Sequence, residues 1–420
     1  MFSHTAHFLK DRDIIVVGAG IAGLSFAIAL RKYGSNGATV PRLTVLDRDP
    51  REPDVKRQGY SLALNGIDED GGLAALQQLG LLDRVLEYAT TSTLGMPFKM
   101  WDGAWNELIS VSSTPWSSLP VGMLRVPRVR LRQILIEEAE RLGVDIKWAS
   151  QFRGVTRLNN GRLSAIFSSN NLNTSECVCD ILIAADGAHS SIRASIRPDD
   201  QLQSAGATQI GGIATFSNGL PSPLNEGWGI LVSGYGNSCF CTPIQDNAVV
   251  WALSKIQEVS NNTPAQITER KRQEILTEAR EHCEEIAEPF ASLLDATDLS
   301  TVFEIPARDK QPFDHVNVMP GVIFIGDSNH AVSPFAGNGA NLALQDGLNL
   351  AELLLSSNSL ETAVNTYDKR AMPRAIKTLK SSHWRITIAH LTGIRFAIFR
   401  RFVMMGGFFL SLKEQILRGR

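Results

Sequence analysis

The sequence predicts an α/β chain: a doubly wound parallel sheet with covering helices, an antiparallel sheet inserted into it, and a helical C-terminal segment. Three observations predict it. A β-branched run, Ile14 to Val17, leads straight into the glycine pattern GAGIAG at 18–23 and then into apolar residues at near-helical spacing. From Ala207 to Gln257 the texture changes to short strand-like runs, IGGIATF, WGILVSG, SCFCTPI and AVVWALSKI, separated by Gly, Pro and Asn clusters. GVIFIGD, beginning at Gly321, then returns to a buried parallel-type strand before a second glycine-rich turn and helix, so the parallel domain is discontinuous.

Taken in order, Leu24, Phe26, Ala27, Ile28 and Leu30 define a helix reaching Tyr33, and Leu43 to Leu46 is the next buried strand. Parallel strands this close need a right-handed helical crossover, which makes a βαβ unit. Ser35 to Pro41 reads as a loop insertion within it. Gly71 to Leu82 and Arg130 to Leu142 carry helical apolar spacing, and Asn159, Asn160 and Gly161 form a hairpin turn between strand-like runs. Pro264 to Ala287 is charged and helical, Asn341 to Leu355 is an apolar helix, and Leu360 to Arg420 is mostly helical in pattern. The expected domains are 9–90, 120–200 and 305–365 for nucleotide binding, 91–119 and 201–304 for substrate, and 366–420 as the C-terminal helical region.

The composition narrows the function. With 420 residues, 44% hydrophobic and 20% charged, the chain is neither disordered nor collagenous. Lys+Arg 41 against Asp+Glu 43 leaves a net charge of -2, so no basic field exists to recruit nucleic acid. Cys177, Cys179, Cys239, Cys241 and Cys283 include no CxxC pair and read as reduced, buried thiols; no metal site is expected. The opening MFSHTAHFLKDRD lacks the apolar core of a signal peptide, so the expectation is a cytoplasmic protein. The C-terminal run Phe402 to Leu412 is 11 residues long and includes Gly406 and Gly407, too short to span a bilayer. It is expected to pack on the substrate lobe; the rival reading is an interfacial helix held to a membrane by Arg400, Arg401 and Lys413.

In GAGIAG, Gly18 suits the tight turn, Gly20 the close approach of backbone to a pyrophosphate, and Gly23 helix-to-strand packing, all at a helix N-terminus that favours phosphate. Asp47, ending the second strand, would accept hydrogen bonds from ribose hydroxyls, which together make the Rossmann-like dinucleotide fingerprint. Asp327 emerges from the later strand at the same end of the sheet, positioned for a ribityl hydroxyl. The turn Pro334 to Gly339 then precedes a helix, whose free N–H groups suit the N1/C2=O edge of a reduced, anionic flavin. A nicotinamide would not need this second site, so the cofactor read from the residues is FAD. His330 lies beside that edge with Pro334 and Gly337, and is read as a structural histidine bonded to backbone in preference to an acid/base. Trp101 and Trp105 are read as core packing.

At these motifs the sequence resembles the class A flavin monooxygenases, the family of para-hydroxybenzoate hydroxylase, salicylate hydroxylase and the tetracycline-inactivating monooxygenase, in its fungal secondary-metabolism form. The resemblance covers nearly the whole chain. It implies cofactor contacts at Gly18, Gly20, Gly23, Asp47 and Arg48, at Arg128 opening RVRLRQIL, at Asp186 and Gly187 of IAADGAHSSIR with Arg193, and at Asp327, Pro334, Gly337, Gly339 and Asn341. GYSLALNG and LAALQQLGLLD are similar to the family's glycine strand and following helix. Where the family writes GDAAH and GQG, this chain has Gly326 to His330 as GDSNH and Gly337 to Gly339 as GNG. The WxWxIP signature of flavin halogenases does not occur at Trp101 and Trp105. The resemblance implies that NAD(P)H reduces FAD, O2 adds at the flavin C4a as a hydroperoxide, and its distal oxygen reaches an electron-rich aromatic ring or alkene of a small organic substrate. A dehydrogenase or reductase of the same fold and a non-catalytic FAD-binding protein are the alternatives.

Overall fold

The computed structural model describes residues 7–34, 41–52, 61–89, 95–169, 174–257 and 267–418, with side chains to 407. The loop insertion expected at 35–41 lies, but for Pro41, outside the described residues.

Five strands form the parallel sheet, in the order Val322–Phe324, Ile181–Ala184, Asp13–Val17, Arg42–Leu46, Asp145–Lys147. Its helix Ile21–Gly34 buries Leu24, Phe26, Ile28 and Leu30 completely. That helix lies backbone to backbone with the helix Gly339–Ser356: a Cβ on Gly347 would stand 2.5 Å from the Ala22 carbonyl oxygen. The two motif-bearing helices are therefore locked together in one apolar core. The helix expected over 71–82 is shorter. It spans Gly72–Leu79, and Gly80, at φ +76°, ends it by donating to the Gln77 carbonyl before a short helix Leu82–Leu86.

The strands Gln151–Arg157, Leu163–Ser168 and Thr174–Cys179 form a separate antiparallel sheet with its turn at Gly161, as the Asn-Asn-Gly pattern implied. The inserted sheet has seven strands, in the order Phe303–Asp309, Gln203–Thr215, Ala248–Ile256, Asn237–Gln245, Trp228–Val232, Phe98–Asp102, Glu107–Val111. It is antiparallel except where Trp228–Val232 runs parallel to Phe98–Asp102, because the latter arrives from the earlier part of the chain. Strand alternation divides its side chains. Trp101, Leu231, Cys239, Cys241 and Trp251 face a second apolar core under the helices Glu269–Glu281 and Phe290–Asp295. Phe98, Met100, Trp228, Ile230 and Phe240 share the other face and are only half-buried.

Trp101 and Trp105 lie in that second core, ring centroids 5.6 Å apart, with the Trp105 indole donating to the Ala287 carbonyl. Cys239 and Cys241 point to one face with Sγ atoms 3.7 Å apart, and burial raises the Cys239 thiol far above its ordinary range. The helices Leu360–Ala389 and Gly393–Arg418 complete the chain. The last packs on the edge of the seven-stranded sheet: Arg400 pairs with Asp102 at 3.0 Å, Phe396 covers Gly234, and Gly407 abuts the Leu108 backbone. Its other face leaves Ile394, Ile398, Phe402 and Met405 exposed. Among the described residues, no helix is long and apolar enough to cross a membrane.

Candidate active site

Loops leaving the carboxyl ends of the three strands Asp13–Val17, Ile181–Ala184 and Val322–Phe324 meet over the sheet, the place where open α/β sheets bind nucleotides. Gly18 takes φ +109°, and a Cβ there would overlap the Ala185 carbonyl oxygen at 2.3 Å; one on Gly23 would sit 2.1 Å from the Gly18 carbonyl oxygen. Gly20 differs, since among the described residues a Cβ there meets nothing nearer than the Ala185 oxygen at 4.0 Å. The protein forces glycine at 18 and 23 but leaves space above 20.

Asp47 is buried beneath this loop and accepts from the Ala19 N–H at 2.6 Å and the Asp49 N–H at 2.8 Å. Burial raises its pKa, and the two N–H bonds oppose that rise. Each carboxylate oxygen keeps a lone pair for a further donor. Arg48 is exposed, 3.8 Å from Asp49. Arg128 opens the helix Arg128–Arg141 and is likewise exposed. One turn on, Arg132 is buried, donating Nε to the Ala19 carbonyl at 3.1 Å with its guanidinium 5.2 Å from the Trp148 ring. Sequence reading passed over Arg132; its i+4 spacing from Arg128 places it on the same helix face and was the available signal.

Asp186 accepts from the Ser191 and Ile192 N–H groups through Oδ2, while its buried Oδ1 has no partner among the described residues. Gly187 follows at φ +83°. Arg193 is a clamp between loops: it donates to the carbonyls of Asp200 at 3.0 Å, Ser328 at 2.8 Å and Ala188 at 2.5 Å. The third loop is braced from below. Lys310 is buried and gives its ammonium to the Asn329 carbonyl at 2.7 Å and to Asp200 at 3.0 Å, and burial lowers it to about 8.

His330 is bonded through a side chain and not through backbone as expected: Nε2 meets Asp346 Oδ2 at 2.6 Å. The same Oδ2 accepts from the Gly326 N–H at 2.9 Å, and Arg374 reaches Oδ1 at 3.3 Å. Both partners are almost fully buried. Although burial opposes the charged forms, their attraction holds His330 above and Asp346 below the usual values. Asp327 stands beside this pair with its pKa raised by burial, and its carboxylate has no hydrogen-bond partner among the described residues.

Pro334–Ala336 makes one 3-10 turn closed by Gly337 at φ +59° and by Arg385, which donates to the Ala336 carbonyl at 2.7 Å. The 18-residue helix beginning at Gly339 has no side-chain cap, because Asn338 turns its amide to Thr378 instead. Its N–H groups at Gly339, Ala340 and Asn341 thus point outward at the positive end of the helix dipole. The Asn341 side chain is committed to the protein: Oδ1 accepts from Asn65 and Gly72, and Nδ2 donates to the Ala63 carbonyl. Only the backbone of Asn341 is left for a ligand.

These residues fit a flavin dinucleotide. The space above Gly20, the partnerless Oδ1 of Asp186, the unbonded carboxylate of Asp327 and the uncapped helix each lack what a pyrophosphate, sugar hydroxyls and an electron-rich ring edge supply. Removing the Asp327 acceptor as Asp327→Ala is expected to weaken FAD binding by about 1–3 kcal/mol, the usual cost of one unpaired buried group. Titration of apoprotein with FAD checks this; equal affinities would remove Asp327 from the site.

Glycine turn, strand-end carboxylate and a second, uncapped helix define an FAD-binding α/β protein. The FAD binding domain family matches residues 11–382, and the chain belongs to it. It is 41% identical over 391 residues to the monooxygenase cfoF of Aspergillus candidus, covering 92% of this chain and 93% of that one. To the FAD-dependent monooxygenase adaC of Aspergillus niger it is 27% identical over 410 residues, covering 90% and 93%. In fold it is similar to Klebsiella pneumoniae HpxO complexed with FAD and uric acid, with TM-score 0.72, 19% identity and coverage of 95% and 94%. The tetracycline destructase Tet(55) aligns with TM-score 0.68, 19% identity and coverage of 95% and 96%.

Proposed function

We propose that this chain is an FAD-dependent monooxygenase that uses NAD(P)H and O2 to hydroxylate or epoxidise an electron-rich aromatic or polyketide/terpenoid-type small molecule. The observation that carries this reading is a juxtaposition. The uncapped N-terminus of helix Gly339–Ser356 is tied through Asn341 to the strand Ser61–Asn65, whose antiparallel partner Met123–Pro127 places Arg125 over Phe240 of the half-buried aromatic sheet face. Bound FAD supplies the redox chemistry, accepting electrons from NAD(P)H and activating O2. Everything else falls to the protein. Gly18, Gly20 and Gly23 seat the pyrophosphate at the first helix N-terminus, Asp47 and Asp327 take sugar hydroxyls, and Arg48, Arg128, Asp186 and Gly187 border the same groove. The turn through Pro334 and Gly337, continued by the Gly339 and Asn341 N–H groups, stabilises negative charge at the ring edge. Phe98, Trp228 and Phe240 exclude water from the substrate side.

His330 serves as the loop's ion-paired anchor: its Nε2 meets Asp346, while its buried Nδ1 has no hydrogen-bond partner among the described residues. The relatives' names support oxygen insertion over simple dehydrogenation. Incubation of the purified flavoprotein with NAD(P)H, 18O2 and candidate aromatic substrates tests it. One labelled oxygen atom in the product is expected; NAD(P)H oxidation with an unlabelled, dehydrogenated product would replace the monooxygenase with a dehydrogenase.

A further inference from the structure

Arg125 is 9% exposed, yet among the described residues no carboxylate pairs with it. Its only side-chain hydrogen bond there runs from Nε to Ser61 Oγ at 3.2 Å, which leaves both terminal nitrogens uncommitted. Buried cations in proteins are as a rule paired, because an unpaired one loses its hydration without a compensating charge. Burial lowers its pKa to about 10, so it stays charged at neutral pH.

The position explains what that charge faces. In the strand pair Ser61–Asn65 and Met123–Pro127, Leu64, Leu124 and Val126 turn into the nucleotide-domain core, so Ser61, Ala63, Met123 and Arg125 turn the other way. There the guanidinium lies 5.4 Å from the Phe240 ring, which meets Trp228 edge-on at 6.3 Å. A cavity of about 160 Å³, lined by Met96, Ser113, Met123, Arg125 and Trp228 among others, opens at this point. Ala63, directly opposite Arg125 in the strand pair, accepts through its carbonyl from Asn341 at the head of the uncapped helix. Arg125 is thus one strand away from the proposed ring edge, on the substrate side.

We infer that Arg125 selects the substrate by its charge: its two free terminal nitrogens take, side by side, the carboxylate of an aromatic acid whose ring lies along the Trp228 and Phe240 face. The inference rests on the reading of this cavity as the substrate side of a flavin site. A planar guanidinium with two parallel donors matches a carboxylate better than any neutral group, and the aromatic wall excludes the water that would compete. Arg125 is on this account a specificity residue.

Equilibrium dialysis of the FAD-loaded protein against 2-naphthoate and against 2-naphthamide, which share a shape and differ in charge, tests it at neutral pH. The acid is expected to bind roughly ten- to a hundredfold tighter, the range of a charge-assisted pair in a dry site. Arg125→Gln should erase that preference while keeping FAD content and a thermal midpoint at or above the parent's, because it removes an uncompensated buried charge. Arg125→Lys should keep a smaller preference of the same sign. Equal affinity for acid and amide in the parent, absence of binding by both included, overturns the inference. So does a preference that survives in Arg125→Gln, or a fall in midpoint in both variants, which would make Arg125 a structural strut. Failure of the oxygenase reading shows up separately, as missing 18O incorporation by a protein that still prefers the acid.

Discussion

Gly20→Val is expected to yield a folded protein that carries no flavin. The reason is the contrast among the three glycines. A side chain at Gly18 or Gly23 collides with backbone oxygens little more than 2 Å away, so valine there should cost the fold itself. At Gly20 the nearest atom to a Cβ is 4.0 Å off and the backbone is not left-handed, so nothing among the described residues demands glycine. What demands it is a ligand that must approach the backbone where the branched side chain would stand. Flavin absorbance per chain after gel filtration should fall to background, with a thermal midpoint close to that of the parent stripped of its flavin. Full flavin content in Gly20→Val would end the assignment of this loop to the pyrophosphate, and collapse of the apoprotein would show that glycine is needed for packing instead.

Much of this was legible in the chain because local sterics write themselves into local sequence. The first strand, the glycine turn and the buried helix after it follow from a β-branched run and three glycines with different neighbours. The hairpin at Gly161 and the strands between 207 and 257 follow from turn residues. What was not legible depends on register between distant segments. Nothing in GDSNH says that His330 will meet a carboxylate 16 residues later, since that takes the loop folding back across the helix Gly339–Ser356. Asn341 looked like a ligand contact by its place in the motif, but its amide matches the free backbone groups of Ala63, Asn65 and Gly72, which sequence distance hides. Arg193 likewise spends its donors on three carbonyls from separate loops. The parallel pair inside the antiparallel sheet arises because a strand from before the second nucleotide segment joins strands from after it.

The same long-range register makes Asp346 the residue whose loss should cost most in stability. Its carboxylate holds His330, the Gly326 N–H and Arg374 at once, in a site almost without water. Asp346→Ala takes the carboxylate away from His330 and Arg374 and loosens the Gly326–Asp327 loop, and removing one partner of a buried ion pair costs about 3–5 kcal/mol. The pH dependence carries the sign. In the parent, His330 titrates above its ordinary value, so its contribution is fully present below the unfolded histidine pKa and fades as pH rises through the folded one. Asp346 titrates below its ordinary value, so its contribution is present above the unfolded carboxylate pKa and fades only as pH falls through the folded one. The pair is therefore at full strength in mild acid. In Asp346→Ala the nearby carboxylate left to His330 is that of Asp327, which burial itself pushes toward its neutral form, so burial outweighs attraction and drives the imidazole neutral, and the variant loses stability as pH falls through the unfolded histidine value, about 6.5. The gap in thermal midpoint between parent and variant should accordingly be wider near about pH 6 than near about pH 8, where a neutral imidazole limits the damage. FAD affinity should drop with it, because Gly326 loses the bond that sets Asp327 at the sheet's edge. Thermal unfolding of both proteins at the two pH values decides the matter: a gap that does not change with pH would assign the effect to Arg374 and leave His330 neutral in the parent.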